Sequence, residues 1–90
     1  MMDTAFEASI RDCASLVGPG QALVVEAELV YGRVRLRVRV GWPSPDVRAQ
    51  VAALGGDAAL VIRDVDGEVD VRALDPETLE RAIAAMRGRA

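Results

Sequence analysis

The stretch from Gln21 to Val40, QALVVEAELVYGRVRLRVRV, decides the fold. From Arg33 to Val40 every odd position is arginine and every even one is aliphatic. Side chains alternate across a strand, so Arg33, Arg35, Arg37 and Arg39 share one face, and Val34, Leu36, Val38 and Val40 the other. A tight turn at Tyr31-Gly32 or Gly32-Arg33, with Gly32 supplying positive φ, makes the stretch a hairpin. With Tyr31-Gly32 as the loop, Leu29 faces Val34, Ala27 faces Leu36, Val25 faces Val38 and Leu23 faces Val40. Glu28 then meets Arg35, and Glu26 meets Arg37, on the reverse side. The other loop slides the pairing by two, which keeps both faces and sets Glu28 by Arg37 and Glu26 by Arg39. A slip of one residue would drive arginines into the core and is excluded.

Working outward, Phe6, Ile10, Cys13 and Val17 fall on one stripe of a helix capped by Asp3 or Thr4. Glu7 and Arg11 form an i,i+4 pair on its outer side. Gly18-Pro19-Gly20 ends that helix. After the hairpin, Ser44-Pro45-Asp46 combines an N-cap, a first-turn proline and a first-turn acid. The short helix it opens carries Val47, Val51 and Leu54 on one face and stops at Gly55-Gly56. A second hairpin spans about Ala58 to Leu74, with Asp66-Gly67 as a two-residue turn. That turn puts Leu60, Ile62, Val69, Val71 and Ala73 on one face and sets Arg63 opposite Asp70. Asp75-Pro76-Glu77 starts a last helix with the stripe Leu79, Ile83 and Met86, ended by Gly88.

The order is αββαββα, an α+β chain forming one small domain over residues 1–90. The expected architecture has two layers: a four-stranded, mainly antiparallel sheet with the helices on one face and charge on the other. The strand order stays open, because the second helix allows the inner strands to be parallel neighbours or the hairpins to be arranged otherwise. Residues 21–55 and 57–88 read as a ββα unit used twice, by duplication or by independent use of the same helix punctuation.

Composition narrows the chemistry. All eleven basic residues are arginine, which reads first as GC-rich codon usage, and the net charge is -3. The chain thus has no global attraction for nucleic acid or an anionic membrane. It has no His and no Lys, so the commonest general base, the Schiff-base nucleophile and the usual phosphate-binding lysine are missing. Glu26 and Glu28 sit beside arginines, an arrangement that suits ion pairs and not a carboxylate-only hydrolase. Asp64, Asp66, Glu68 and Asp70 lack the spacing of a calcium loop. Cys13, the single cysteine, lies on an apolar stripe and reads as a small buried hydrophobe. No enzyme activity, catalytic residue, cofactor or metal is expected. The opening MMDTAFEASI lacks the features of a signal peptide, and no apolar run approaches the ~20 residues of a membrane span, so the expected location is the cytoplasm.

The arginine row Arg33, Arg35, Arg37 and Arg39 is the sharpest feature. It reads first as a solvated face salt-bridged to glutamates, next as a protein-binding face, and last as a track for a nucleic-acid backbone. Trp42 either closes the end of the core or anchors a partner. Helices pack roughly 8–10 Å apart, so three of them over one short sheet should leave a stripe uncovered. That stripe is placed on the second helix, with Trp42, Val47, Val51 and Leu54 as the interface of a homodimer.

This order of elements resembles the type III secretion chaperone-like fold and its free-standing bacterial relatives, in topology, size and acidity. The resemblance implies a small cytosolic protein that dimerises and binds protein clients in extended form. It carries over no residue role. The expected function is therefore a non-enzymatic, protein-binding or chaperone-like adaptor, a homodimer with a protein client or partner subunit. The alternative is a small nucleic-acid-associated protein using the arginine strand.

Overall fold

A computed structural model describes residues 4–89. The elements are α1 (Thr4–Ser15), β1 (Ala22–Val30), β2 (Arg33–Gly41), α2 (Pro45–Ala53), β3 (Ala59–Arg63), β4 (Val69–Ala73) and α3 (Pro76–Arg89). Asp3, the alternative cap of the first helix, lies outside the described residues. The order of elements is the expected one, except that α3 runs through Gly88 instead of stopping there.

The four strands form one sheet in the order β2-β1-β3-β4. β1 pairs antiparallel with β2 and parallel with β3, while β3 pairs antiparallel with β4. The sheet is therefore mixed, not mainly antiparallel. The reason lies in two matching runs, Ala22-Leu23-Val24-Val25 and Ala59-Leu60-Val61-Ile62, which pair in register. Each run is apolar at every position, so both its faces must be covered, as in the interior of a parallel sheet.

Helices accordingly lie on both faces, not one. On the first face α1 and α3 enclose the main core, built on Ile10, Leu23, Val25, Leu60, Ile83 and Met86. On the second face α2 seats Val51 against Ala22 and Ala59, with Val24, Val61, Val71 and Ala73 around them. The sheet is thus the middle of three layers. The expectation that the second helix would be left over is corrected by the same contacts.

The second hairpin also departs from its expected register. Gly67 has φ +89°, its N–H donates to the Asp64 carbonyl, and the Asp64 N–H donates to the Glu68 carbonyl. The loop is therefore three residues, Val65-Asp66-Gly67, with glycine in the left-handed bulge position. One extra loop residue turns β4 over. Val71 now pairs with Val61, and Asp70 with Ile62. Val69, Val71 and Ala73 consequently share the α2 face with Ala59 and Val61, while Leu60 and Ile62 face α1 and α3.

Candidate protein-binding surface

Pairing of β1 with β3 ends at Glu26 and Arg63, but the β1–β2 ladder continues to Val30 and Arg33. Residues 27–36 therefore project beyond the sheet as a two-stranded arm, roughly 14 Å long at 3.4 Å per residue. Tyr31 (φ +50°) and Gly32 (φ +76°) close its tip with two positive φ values, a type I′ turn. This is the first of the two registers the alternation allowed.

The two faces of the arm differ. Leu29 and Val34, ladder partners on the α1 face, are 64% and 62% exposed. Leu36 is half-buried against the main core. An isolated hairpin is marginal in water, and this one keeps an apolar face open. The other face carries the four arginines of β2, all exposed.

Their ion pairs run diagonally rather than straight across. Glu26 lies opposite Arg37 in the ladder, yet its Oε1 accepts from Arg39 Nη2 at 3.0 Å and Nε at 3.2 Å. Glu28 lies opposite Arg35, yet its Oε2 is 3.9 Å from Arg37 Nη1. Long side chains reach diagonal neighbours readily. Among the described residues Arg33 and Arg35, nearest the tip, have no acidic partner within ion-pair distance. Arg63 shares this face through its pairing with Glu26, so five arginines there oppose two glutamates. A chain of net charge -3 thus carries a locally basic, open surface.

The other expected interface residues separate. Val51 is 3% exposed, and Val47 is half-buried around the same cluster, so both belong to the chain's own core. This corrects their placement at a dimer interface. Trp42 and Leu54 remain 74% and 62% exposed. A Cβ on Gly20 would lie 3.7 Å from Cζ3 of Trp42, so the ring rests by the Gly20 turn instead of closing the core. Cys13 is half-buried against the main core.

The acids of the second hairpin are engaged locally. Asp66 Oδ1 accepts from the Glu68 N–H at 3.0 Å, Asp64 Oδ1 accepts from the Val65 N–H at 2.8 Å, and Asp70 pairs with Arg72 at 2.7 Å. Asp64, Glu68 and Asp70 border a shallow groove of about 130 Å³ over Ile62, Ala82 and Met86. Among the described residues no group of three His, Cys, Asp or Glu could hold a metal ion, and no helix is long and apolar enough to cross a membrane.

Two features escaped the sequence reading. The arm follows from unequal strand lengths, nine residues in β1 and β2 against five in β3 and β4. The signal was the second apolar run, which ends at Ile62. The other feature is a clasp between α1 and α3. Buried Glu7 accepts from Arg87 Nε at 3.0 Å and Nη2 at 2.5 Å, and Arg11 donates to Glu80 at 2.9 Å and 3.0 Å. Glu7 and Arg11 also lie 3.7 Å apart, the helical pair expected, but Glu7 is buried beneath Arg87 and not on the outer side of the helix. Comparison of the chain with family models, curated proteins and solved structures finds no match.

Proposed function

We propose that the chain is a non-enzymatic protein-binding adaptor, chaperone-like in that it docks another polypeptide on the β1–β2 arm. The observation that carries this reading is the exposed ladder pair Leu29 and Val34 on a projecting hairpin. Contiguous exposed apolar side chains mark interaction sites, where singly scattered ones do not. Arg33 and Arg35 on the reverse face, which have no acidic partner among the described residues, complement a partner of opposite charge.

The test compares wild type with a Leu29→Asp/Val34→Asp variant. Because these side chains are already in water, the variant should keep the circular dichroism and urea midpoint of wild type. It should lose the partner that wild type retains from host extract. A partner held equally by both proteins would overturn the reading. Light scattering showing twice 9.6 kDa for wild type and 9.6 kDa for the variant would assign the arm to a second copy of the chain.

A further inference from the structure

We propose that the segment taken up at the arm is an extended peptide alternating acidic and aliphatic residues, added to the free edge of β2 as a fifth strand. This rests on the protein-binding reading above and names the chemistry of the partner.

The backbone argument comes first. β2 ends the sheet. A two-residue hairpin loop closes on a hydrogen-bonded pair, here Val30 and Arg33. Along β2 the backbone groups of the four arginines therefore point to β1, and those of Val34, Leu36, Val38 and Val40 point outward. The edge offers N–H donors and C=O acceptors in equal number, repeating about every 6.8 Å. Another β-strand satisfies both kinds of group. A sugar-phosphate backbone is rich in acceptors but poor in donors, and would leave the carbonyls unpaired. Polypeptide is favoured over nucleic acid on that ground.

The side-chain argument then fixes the pattern. Neighbouring residues on paired strands share a face. Every second residue of the added strand lies beside Arg33, Arg35, Arg37 and Arg39, where a carboxylate is favoured. The residues between lie beside Val34, Leu36 and Val38, where an aliphatic side chain extends the apolar face. Arg39 and Arg37 already have glutamates, so the strongest demand for acid is at Arg33 and Arg35. The same rule excludes the β2 of a second copy, which would set arginine against arginine along the whole edge. The edge is guarded against its own kind and open to the opposite charge.

The experiment titrates the protein into a labelled peptide of alternating Glu and Val, cut to the length of β2, and reads fluorescence anisotropy. Controls are a scrambled peptide of the same composition, a Lys/Val counterpart and a single-stranded oligonucleotide of matching length. Salt-sensitive binding of the alternating peptide is expected, weakened about tenfold or more by scrambling or by Arg33→Glu/Arg35→Glu. N-methylation of alternate peptide amides should abolish binding in one phase and spare it in the other. Loss on methylating the valine amides means antiparallel addition, and loss on methylating the glutamate amides means parallel addition. Equal binding of the scrambled peptide or of both methylated forms would reduce the effect to charge and overturn the proposal. Tighter binding of the oligonucleotide would overturn it in favour of nucleic acid. If the alternating peptide fails while Leu29→Asp/Val34→Asp still releases the native partner, strand addition falls and the adaptor reading stands. If neither responds, both fall.

Discussion

Gly56 lies where the chain leaves α2 for β3, at a point with no room for a side chain. A Cβ there would stand 2.7 Å from the Ala73 Cβ and 3.2 Å from Val51 Cγ1. The first is fixed to the backbone of β4 and the second is buried, so neither can retreat cheaply. Gly56→Ala should therefore lower stability by about 1–3 kcal/mol, the usual cost of overpacking. Gly88→Ala, where a Cβ would meet nothing, should leave the urea midpoint unchanged or raised. Equal midpoints for both variants would mean that α2 is not seated on the sheet. The helix starts were easier to read than this contact. Ser44 Oγ accepts from the Val47 N–H at 3.3 Å, and Asp75 Oδ1 accepts from the Thr78 N–H at 2.8 Å, each just ahead of a first-turn proline. Capping is local, so sequence states it directly. What Gly56 touches is set by a strand beyond it in the chain, and the sequence is silent there.

The two hairpins show how far alternation alone carries. In β2 a one-residue slip would bury arginine, so the pattern excludes it, and the structure pairs Leu29 with Val34 as the Tyr31-Gly32 loop requires. In the second hairpin Asp66-Gly67 suits both a two-residue loop and the end of a three-residue loop. β3 is apolar on both faces, so neither register buries a charge in that strand, and alternation cannot choose. The resulting error turned β4 over and hid the need for cover on the second face. A covalent test is available in a Cys13→Ser background. Val61 and Val71 form a pair without mutual backbone hydrogen bonds, whose Cα atoms stand about 4.5 Å apart, within disulfide range. Val61→Cys/Val71→Cys should oxidise to a bridged monomer, shown by accelerated gel migration. Ile62→Cys/Val71→Cys, the pair the two-residue loop would bring together, should stay reduced because its side chains point to opposite faces. Bridging of the second pair in preference to the first would restore the shorter loop.

Over the whole molecule, the sheet is covered where β1 is apolar on both sides and left open where it is not. Ala22 to Val25 lie under helices on both faces, while Glu26 and Glu28 leave the second face to water. Nine residues of α2 span about 13.5 Å, enough for the apolar half only. The first face needs two helices, and the Glu7–Arg87 and Arg11–Glu80 pairs lock them together across the chain's length. Both carboxylates are held below their ordinary value of 4.5. The hydrogen bond from Arg87 outweighs burial at Glu7, and the hydrogen bond from Arg11 does so at Glu80. A carboxylate with a depressed folded pKa stabilises fully above its unfolded pKa, and the contribution fades as pH falls through the folded value. The clasp should therefore hold at neutral pH and weaken only below about 4.5. Asp75, lowered chiefly by the Thr78 backbone N–H, titrates in the same direction but belongs to α3 alone. Thermal melts across pH 7 to 3 should separate the two effects. Relative to wild type, Glu7→Gln/Glu80→Gln should melt lower at pH 7, and the gap should close on acidification, while the Asp75 contribution fades alike in both proteins and leaves the gap unchanged. Melting curves that stay parallel down to pH 3 would mean that the carboxylates titrate alike in folded and unfolded chains, and that the pairs do not bind α1 to α3.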